Sequence, residues 1–447
     1  MLPALLYLPP MQKWLIILSL IAFSCKSNQQ KAQAQEKPGE EKLRNLTEEE
    51  QRLYSAGFTY FMDTMLNTKG FSGGILVAKN GHILYEHYQG NSDASQSLPI
   101  NDSTPFHVAS TSKTFTGHAI LQLLQQGKLQ LTDTLGQFFP DFPYPGITVQ
   151  HLLTHTSGLQ NYAYFFEKMG WSKKQIATNR DVLDFMIAKK PPLAYPTGKR
   201  FNYCNTNFVL LALIVEELSG EAFPAYVQEH IFKPAGMNHS YVFSISDTGR
   251  YTPSFKGRSI YKFDYLDAIY GDKNVYTTCR DLMKYDAAIR NHVLLDSSTY
   301  ALAWVPFQSD RHSSADTSEH YGLGWRLKVW SNGNKIVYHN GWWHGNNSVF
   351  QRLIQDTAVI IVTGNVYNRN IYKTPRAANF FRPYYDQINK VQVEEAAETT
   401  EPTVTTKEPA HTEKKAIIKM KQPAKKQIAV KAPAKKQPEK KPARKKS

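Results

Sequence analysis

Between residues 70 and 88 the chain carries two short apolar-rich blocks, GGILVA and HILYEHY, on either side of Lys79-Asn80-Gly81. Asn-Gly tolerates the left-handed backbone of a two-residue turn, so this stretch predicts a β-hairpin. The period then changes. After Ser110, the residues Phe115, Ala119, Leu121, Leu123 and Leu124 supply an apolar face at helical spacing. Helical patterning continues to about residue 235, with breaks at residues 140–145, at Pro191-Pro192 and at Pro196-Thr197-Gly198. From Lys335 onward KIVYHNG, NSVFQRLI and TAVIIVTG are β-rich runs separated by short Gly, Asn and Asp turns, the pattern of an antiparallel meander. A last helix is expected over residues 377–390. Strands at both ends with helices between them predict an α/β (α+β) domain over residues 46–392. Its antiparallel sheet is flanked by helices and stands beside an all-helical lobe, with a cleft between the two.

The ends of the chain read differently. Residues 14–23 (WLIILSLIAF) follow Lys13 and are too short to span a bilayer, which marks residues 1–25 as a signal peptide. Met11 is an alternative start, because the basic-then-apolar order begins there and Pro9-Pro10 breaks what precedes it. Ala22-Phe23-Ser24-Cys25 resembles a relaxed bacterial lipobox, which would lipidate Cys25 and anchor the mature protein to an envelope membrane. The other reading is an ordinary cleavable signal with an incidental cysteine. Retention of a Cys25→Ser variant in salt-washed membranes would exclude the lipid anchor. Residues 26–45 are polar and read as a disordered tether, and residues 393–447 as a Lys, Pro and Ala-rich tail with almost nothing to bury.

That tail changes the meaning of the charge. Residues 413–447 hold thirteen lysines and Arg444 against Glu413 and Glu439, a net +12, so the rest of the chain carries only +3 of the formal +15. The basicity therefore belongs to a tail rather than to a folded nucleic-acid-binding surface, and no nucleic-acid partner is expected. The tail is either an inert solubilising segment or an electrostatic contact with an anionic envelope polymer. Among three cysteines there is no C-x-x-C pair, and no His cluster has zinc spacing. Neither a metal nor a cofactor is expected, and Cys204 and Cys279 read as free buried thiols.

Ser-x-x-Lys occurs twice, at Ser110 to Lys113 and at Ser259 to Lys262. Only the first opens a helical pattern. Positions i and i+3 share a helix face, so Lys113 can reach the Ser110 hydroxyl and take its proton during attack on a carbonyl. The helix N-terminus would add a backbone N–H and a positive dipole for the developing oxyanion.

Residues 106–116 (FHVASTSKTFT) resemble the nucleophile segment of class C β-lactamases and their esterase and peptidase relatives, the penicillin-recognising serine hydrolases. Tyr203-Cys204-Asn205 matches the Tyr-x-Asn element of that family, and His339-Asn340-Gly341 matches its Lys- or His-x-Gly strand. These elements occur in family order, 93 and 136 residues apart. Residues 151–159 (HLLTHTSGL) and 321–325 (YGLGW) are further family signatures, read as scaffold, His155 included. The resemblance covers roughly residues 50 to 390 and implies a β-lactamase/transpeptidase-like fold. It makes Ser110 the nucleophile and Lys113 and Tyr203 its proton carriers, the Tyr203 phenol being ionised by Lys113. Asn205 would hydrogen-bond Lys113 and the substrate. Gly341 would allow close backbone approach, and the Trp342 N–H would share an oxyanion hole with that of Ser110. His339 stands where typical β-lactamases have lysine, and its weaker, pH-dependent charge is a poorer anchor for a substrate carboxylate. The expected activity is therefore hydrolysis of a small-molecule or peptide ester, amide or D-amino-acid peptide through an acyl-enzyme. Two alternatives stand beside it: a β-lactamase or D,D-carboxypeptidase, and a catalytically weak cell-wall binding protein.

Overall fold

Asn80 and Gly81 both take positive φ, 52° and 79°, and they join β1 (Gly73–Lys79) to β2 (His82–Gln89) in the expected hairpin. The computed structural model of the chain describes residues 45–66, 70–93, 95, 97–248, 251–309, 317–382 and 384. They all lie in one unit, Met1–Thr399. The signal segment with Cys25, the tether up to residue 44 and the basic tail fall outside the described residues. No described helix is long and apolar enough to cross a membrane.

The helices that matter for the site are α1 (Glu48–Met65), α2 (Lys113–Gln125), α3 (Asn179–Lys189), α4 (Asn205–Ser219) and α5 (Cys279–Arg290). After the first hairpin come β3 (Phe106–His107), β4 (Tyr241–Val242) and β5 (Val275–Thr277), which form a small sheet in the order β3-β5-β4. Then follow β6 (Gln308–Ser309), β7 (Thr317–Tyr321), β8 (Arg326–Trp330), β9 (Lys335–Trp343), β10 (Asn346–Leu353) and β11 (Ala358–Gly364). The main sheet has eight strands in the order β2-β1-β11-β10-β9-β8-β7-β6. Its two halves are joined where β1 pairs antiparallel with β11, Gly73 opposite Gly364 and Lys79 opposite Ala358.

Both faces of this sheet are covered, which is why its central strands are apolar runs rather than alternating ones. Along β1, Ile75 and Val77 join a core with Phe58 and Met62 of α1, while Leu76 and Ala78 face the opposite core with Phe115, Phe208 and Leu282 of α2, α4 and α5. In α4 every residue from Thr206 to Val215 is buried, so the helix is apolar on all sides and forms the centre of the helical lobe. The expected last α-helix is absent over its described part. Residues Arg369–Phe380 form 3-10 turns with Pro375 inside, where the missing N–H and the ring both oppose an α-helical ladder. Residues 385–390 lie outside the described residues.

Acid should loosen this core. His118 of α2 is fully buried with its two ring nitrogens 2.7 and 2.8 Å from the hydroxyls of Tyr285 and Tyr300. Burial, with Arg352 nearby, pulls its pKa down to about 3, and burial pulls that of His107 down to about 4. The unfolded chain takes up these protons near pH 6.5 and the folded chain does not, so stability is lost as pH falls from there toward 4. Each histidine should cost about 2 kcal/mol at pH 5. The urea midpoint is expected to drop between pH 7 and pH 5, and a pH-independent midpoint would contradict the assignment.

Candidate active site

Phe106 and His107 pair with Thr277 and Tyr276 of β5, and Val108 N–H donates to the Val275 carbonyl at 2.9 Å. The chain then bends at Ala109, whose φ of 48° is in the left-handed region, held by a 3.2 Å hydrogen bond from its N–H to His107 Nδ1. Ser110 follows in a 3-10 turn, Ala109–Ser112, and α2 begins only at Lys113. The nucleophile candidate is thus one turn ahead of the α-helix rather than at its first residue. The i, i+3 relation survives, because a 3-10 turn sets those positions almost in eclipse. Lys113 Nζ donates to Ser110 Oγ at 2.9 Å and to the Asp272 carbonyl at 2.9 Å, with the lysine fully buried. The Asp272 loop is itself tied to α2, since Thr116 Oγ1 donates to the Gly271 carbonyl at 2.7 Å. The second Ser-x-x-Lys match has none of this, for Ser259 and Lys262 are exposed in a small hairpin.

Tyr203 lies just before α4, with its ring centroid 5.0 Å from Lys113 Nζ and 6.4 Å from the His339 ring. His155 sets its position. That ring is 4.3 Å from the Tyr203 ring, its Nδ1 accepts the Cys204 N–H at 3.1 Å, and its carbonyl accepts the Asn202 N–H at 2.8 Å. An accepting Nδ1 places the ring proton on Nε2. Burial, then the charges of Lys113 and Arg326, hold His155 neutral, with its pKa well below the usual histidine range. His155 thus holds the Asn202–Cys204 backbone and packs against the Tyr203 ring. Asn205 departs from expectation: its Oδ1 is buried with no hydrogen-bond partner among the described residues. Lys113 Nζ is turned to Ser110 Oγ and the Asp272 carbonyl, and no hydrogen bond joins it to Asn205 Oδ1.

The third element is an edge of β9. β8 pairs with β9 only as far as Arg326 opposite Tyr338, so β9 continues past its neighbour along the cleft. Gly341 sits there against the nucleophile turn, where a Cβ would fall 2.2 Å from the Val108 carbonyl oxygen and 2.9 Å from Ser110 N. Ser348 on β10 fastens the same contact, donating to the Val108 carbonyl at 2.7 Å and meeting the Thr111 hydroxyl at 2.9 Å. The Trp342 side chain turns away, its Nε1–H donating to the His344 carbonyl at 2.8 Å and its ring resting on Tyr367. Only its backbone can serve the cleft.

His339 corrects the sequence reading. It is fully buried, its Nδ1 is 2.7 Å from the Asn340 carbonyl and its Nε2 is 2.9 Å from the Tyr321 hydroxyl. A carbonyl can only accept, so the proton is on Nδ1 and Tyr321 donates to Nε2. Burial, then Arg326 and Lys113, depress the pKa well below the usual range. The ring is neutral and offers no pH-dependent charge to a substrate. The cationic group that sequence reasoning missed is Arg326, whose Cζ lies 5.3 Å from the Tyr203 ring and 5.8 Å from that of Tyr321. Its only sequence signal was its place directly after the YGLGW signature. Cys204 and Cys279 are free and buried, and burial pushes their thiols up to about 11 and about 12, which leaves them unreactive.

Comparison with known proteins agrees with this geometry. The Beta-lactamase family model matches residues 58–379. Penicillin-binding protein 4* of Bacillus subtilis (strain 168) is 30% identical over 351 residues, spanning 72% of this chain and 76% of that protein. The crystal structure of a penicillin-binding protein from Bacillus halodurans aligns with a TM-score of 0.62 at 26% identity, covering 71% of this chain and 98% of that one. The D-amino acid amidase of Ochrobactrum anthropi SV3, solved with L-phenylalanine amide, shares the fold with a TM-score of 0.55 at 20% identity, covering 70% and 91% of the two chains. With the family model spanning nearly the whole folded region and the serine, lysine, tyrosine and His-x-Gly elements meeting at one cleft, the chain belongs to the Beta-lactamase family of serine hydrolases.

Proposed function

We propose that this is an exported acyl-enzyme hydrolase of ester, amide or D-amino-acid peptide bonds. The observation that carries the reading is the 2.9 Å contact between the buried Lys113 side-chain nitrogen and Ser110 Oγ. In the first step Lys113 acts as a neutral amine, one N–H held by the Asp272 carbonyl. Ser110 Oγ bonds to the substrate carbonyl carbon while its proton passes to the lone pair of the amine, which hands a proton on to Tyr203 when that residue has given up its own. The backbone N–H groups of Ser110 and Trp342 stabilise the oxyanion. Tyr203 then protonates the leaving alcohol or amine as its bond to the carbonyl breaks. Water, giving up a proton along the same route, releases the acid and restores Ser110. A neutral His339 removes the cation of the β9 strand on which a β-lactam carboxylate would rest, whereas the Arg326 guanidinium stands on β8 beside the Tyr203 ring, a different place for a carboxylate, and this favours esters, amides and D-amino-acid peptides over antibiotics.

Arg326 is the remaining cationic anchor we assign to the cleft. A fluorophosphonate probe should label Ser110 alone, located by peptide mass spectrometry, and labelling elsewhere would end this reading. On a panel of short acyl esters, D-amino-acid amides, D-alanyl peptides and nitrocefin, esters and amides are expected to turn over and nitrocefin to resist. Arg326→Gln should raise KM about tenfold for substrates with a free carboxylate and leave neutral esters within about twofold, the scale of one lost charge-assisted contact. Equal losses on both would remove Arg326 from recognition.

A further inference from the structure

We propose that Asp264, Asp267 and His344 form a binding site for a divalent cation of the zinc type, beside the catalytic cleft. The three side chains come from a loop and a β-turn 77 residues apart, and their donor atoms all lie within 4.8 Å of one another. His344 Nε2 is 3.2 Å from Asp267 Oδ1 and 3.9 Å from Asp264 Oδ2. Ligands at about 2.1 Å around a tetrahedral ion stand roughly 3.4 Å apart. The two histidine–carboxylate separations bracket that value.

Each ligand is also held from behind, as metal ligands are. Asp264 Oδ1 accepts the Leu266 N–H at 2.8 Å, leaving Oδ2 toward the histidine. Asp267 Oδ2 accepts the Asp264 N–H at 2.7 Å, and the Trp343 indole N–H donates to Oδ1 at 2.7 Å. The His344 ring is stacked by Tyr261, at 5.1 Å between centroids, on a backbone with φ of 54°.

A second, independent observation points to a bound species. Asn346 is 4% exposed, its Oδ1 has no hydrogen-bond partner among the described residues, and it lines the same recess as Asp267 and His344. That recess has room for ≈ 20 Å³, enough for one water-sized occupant. One imidazole with two carboxylates suits zinc or cobalt better than calcium or magnesium, which prefer all-oxygen sets. The ion would brace the loop that presents the Asp272 carbonyl to Lys113, since Asn274 Nδ2 donates to the Asp267 carbonyl at 2.7 Å and meets His107 through its Oδ1 at 3.0 Å.

The test uses the full chain, stripped with chelator and titrated with Zn²⁺ by calorimetry and with Co²⁺ by visible absorption. Wild type should take up an equivalent of Zn²⁺ that raises Tm by several degrees, and Co²⁺ should give the intense bands of a four-coordinate site. Asp267→Asn and His344→Gln should each weaken that equivalent at least tenfold and abolish the Tm shift. Should either fail to fold, Asp264→Asn serves, since that side chain is 40% exposed. Failure of wild type to bind at millimolar Zn²⁺, or binding unchanged in these variants, would overturn the proposal, while the Ser110 labelling result would stand on its own.

Discussion

Ser110→Ala is expected to leave the protein folded and to lower kcat by at least about 10⁴-fold, or about 5.5 kcal/mol of transition-state stabilisation. The size follows from what is lost. Oγ forms the covalent bond of the acyl-enzyme, and what remains is the oxyanion hole and binding alone. Folding should survive because Lys113, the buried partner, keeps the Asp272 carbonyl at 2.9 Å as an acceptor. Thermal unfolding checks the first half of this statement, and steady-state turnover with intact-mass detection of the acyl adduct checks the second. Tyr203→Phe keeps the aromatic ring against His155 and removes only the hydroxyl, so it should lower kcat by about 10²- to 10⁴-fold with little change in Tm. A Ser110→Ala enzyme that still formed an adduct would place the nucleophile elsewhere.

Gly341→Ala is expected to damage stability and catalysis together, which few single methyl groups do. The added Cβ would fall 2.2 Å from the Val108 carbonyl oxygen and 2.9 Å from Ser110 N. Both are backbone atoms, and the Val108 carbonyl is held by the Thr111 N–H and the Ser348 hydroxyl, so β9 or the nucleophile turn must move. Overpacking of this kind costs about 1–3 kcal/mol or more. Moving Ser110 relative to the β9 backbone also opens the oxyanion hole, and a loss of about 10²-fold in kcat follows from removing one such donor. Gly333→Ala is the control, because that turn glycine has φ of 83° and an added methyl group there would meet nothing within 4 Å. It should cost about 1 kcal/mol through backbone strain alone and leave kcat unchanged. Should Gly341→Ala match that control, the close approach of β9 to Ser110 has no catalytic meaning.

The sequence by itself determined whatever depends on neighbours a few residues apart. Asn80-Gly81 specified its hairpin through local backbone freedom, and the apolar runs of β9 to β11 specified a meander. The spacing of Ser110 and Lys113 specified their contact, which survives the change from α-helix to 3-10 turn because both geometries bring i and i+3 together. The order of the family motifs placed Tyr203 and Gly341 at the same cleft without showing how near they come. Tertiary structure decided the rest, since charge state and hydrogen-bond partner depend on burial and on chain segments far apart. His339 reads as a titratable group in the sequence, yet the fold buries it against Tyr321 and beside Arg326, where an uncharged ring is the lower-energy form. Asn205 Oδ1 makes no hydrogen bond to its expected lysine, which turns to a backbone carbonyl 67 residues away in the sequence, and the Pro375 3-10 segment replaces the start of a helix the pattern favoured. Asp264, Asp267 and His344 have no motif spacing at all. They meet only because the loop before β5 and the turn after β9 pack together, and no local pattern can record a contact made by the whole sheet.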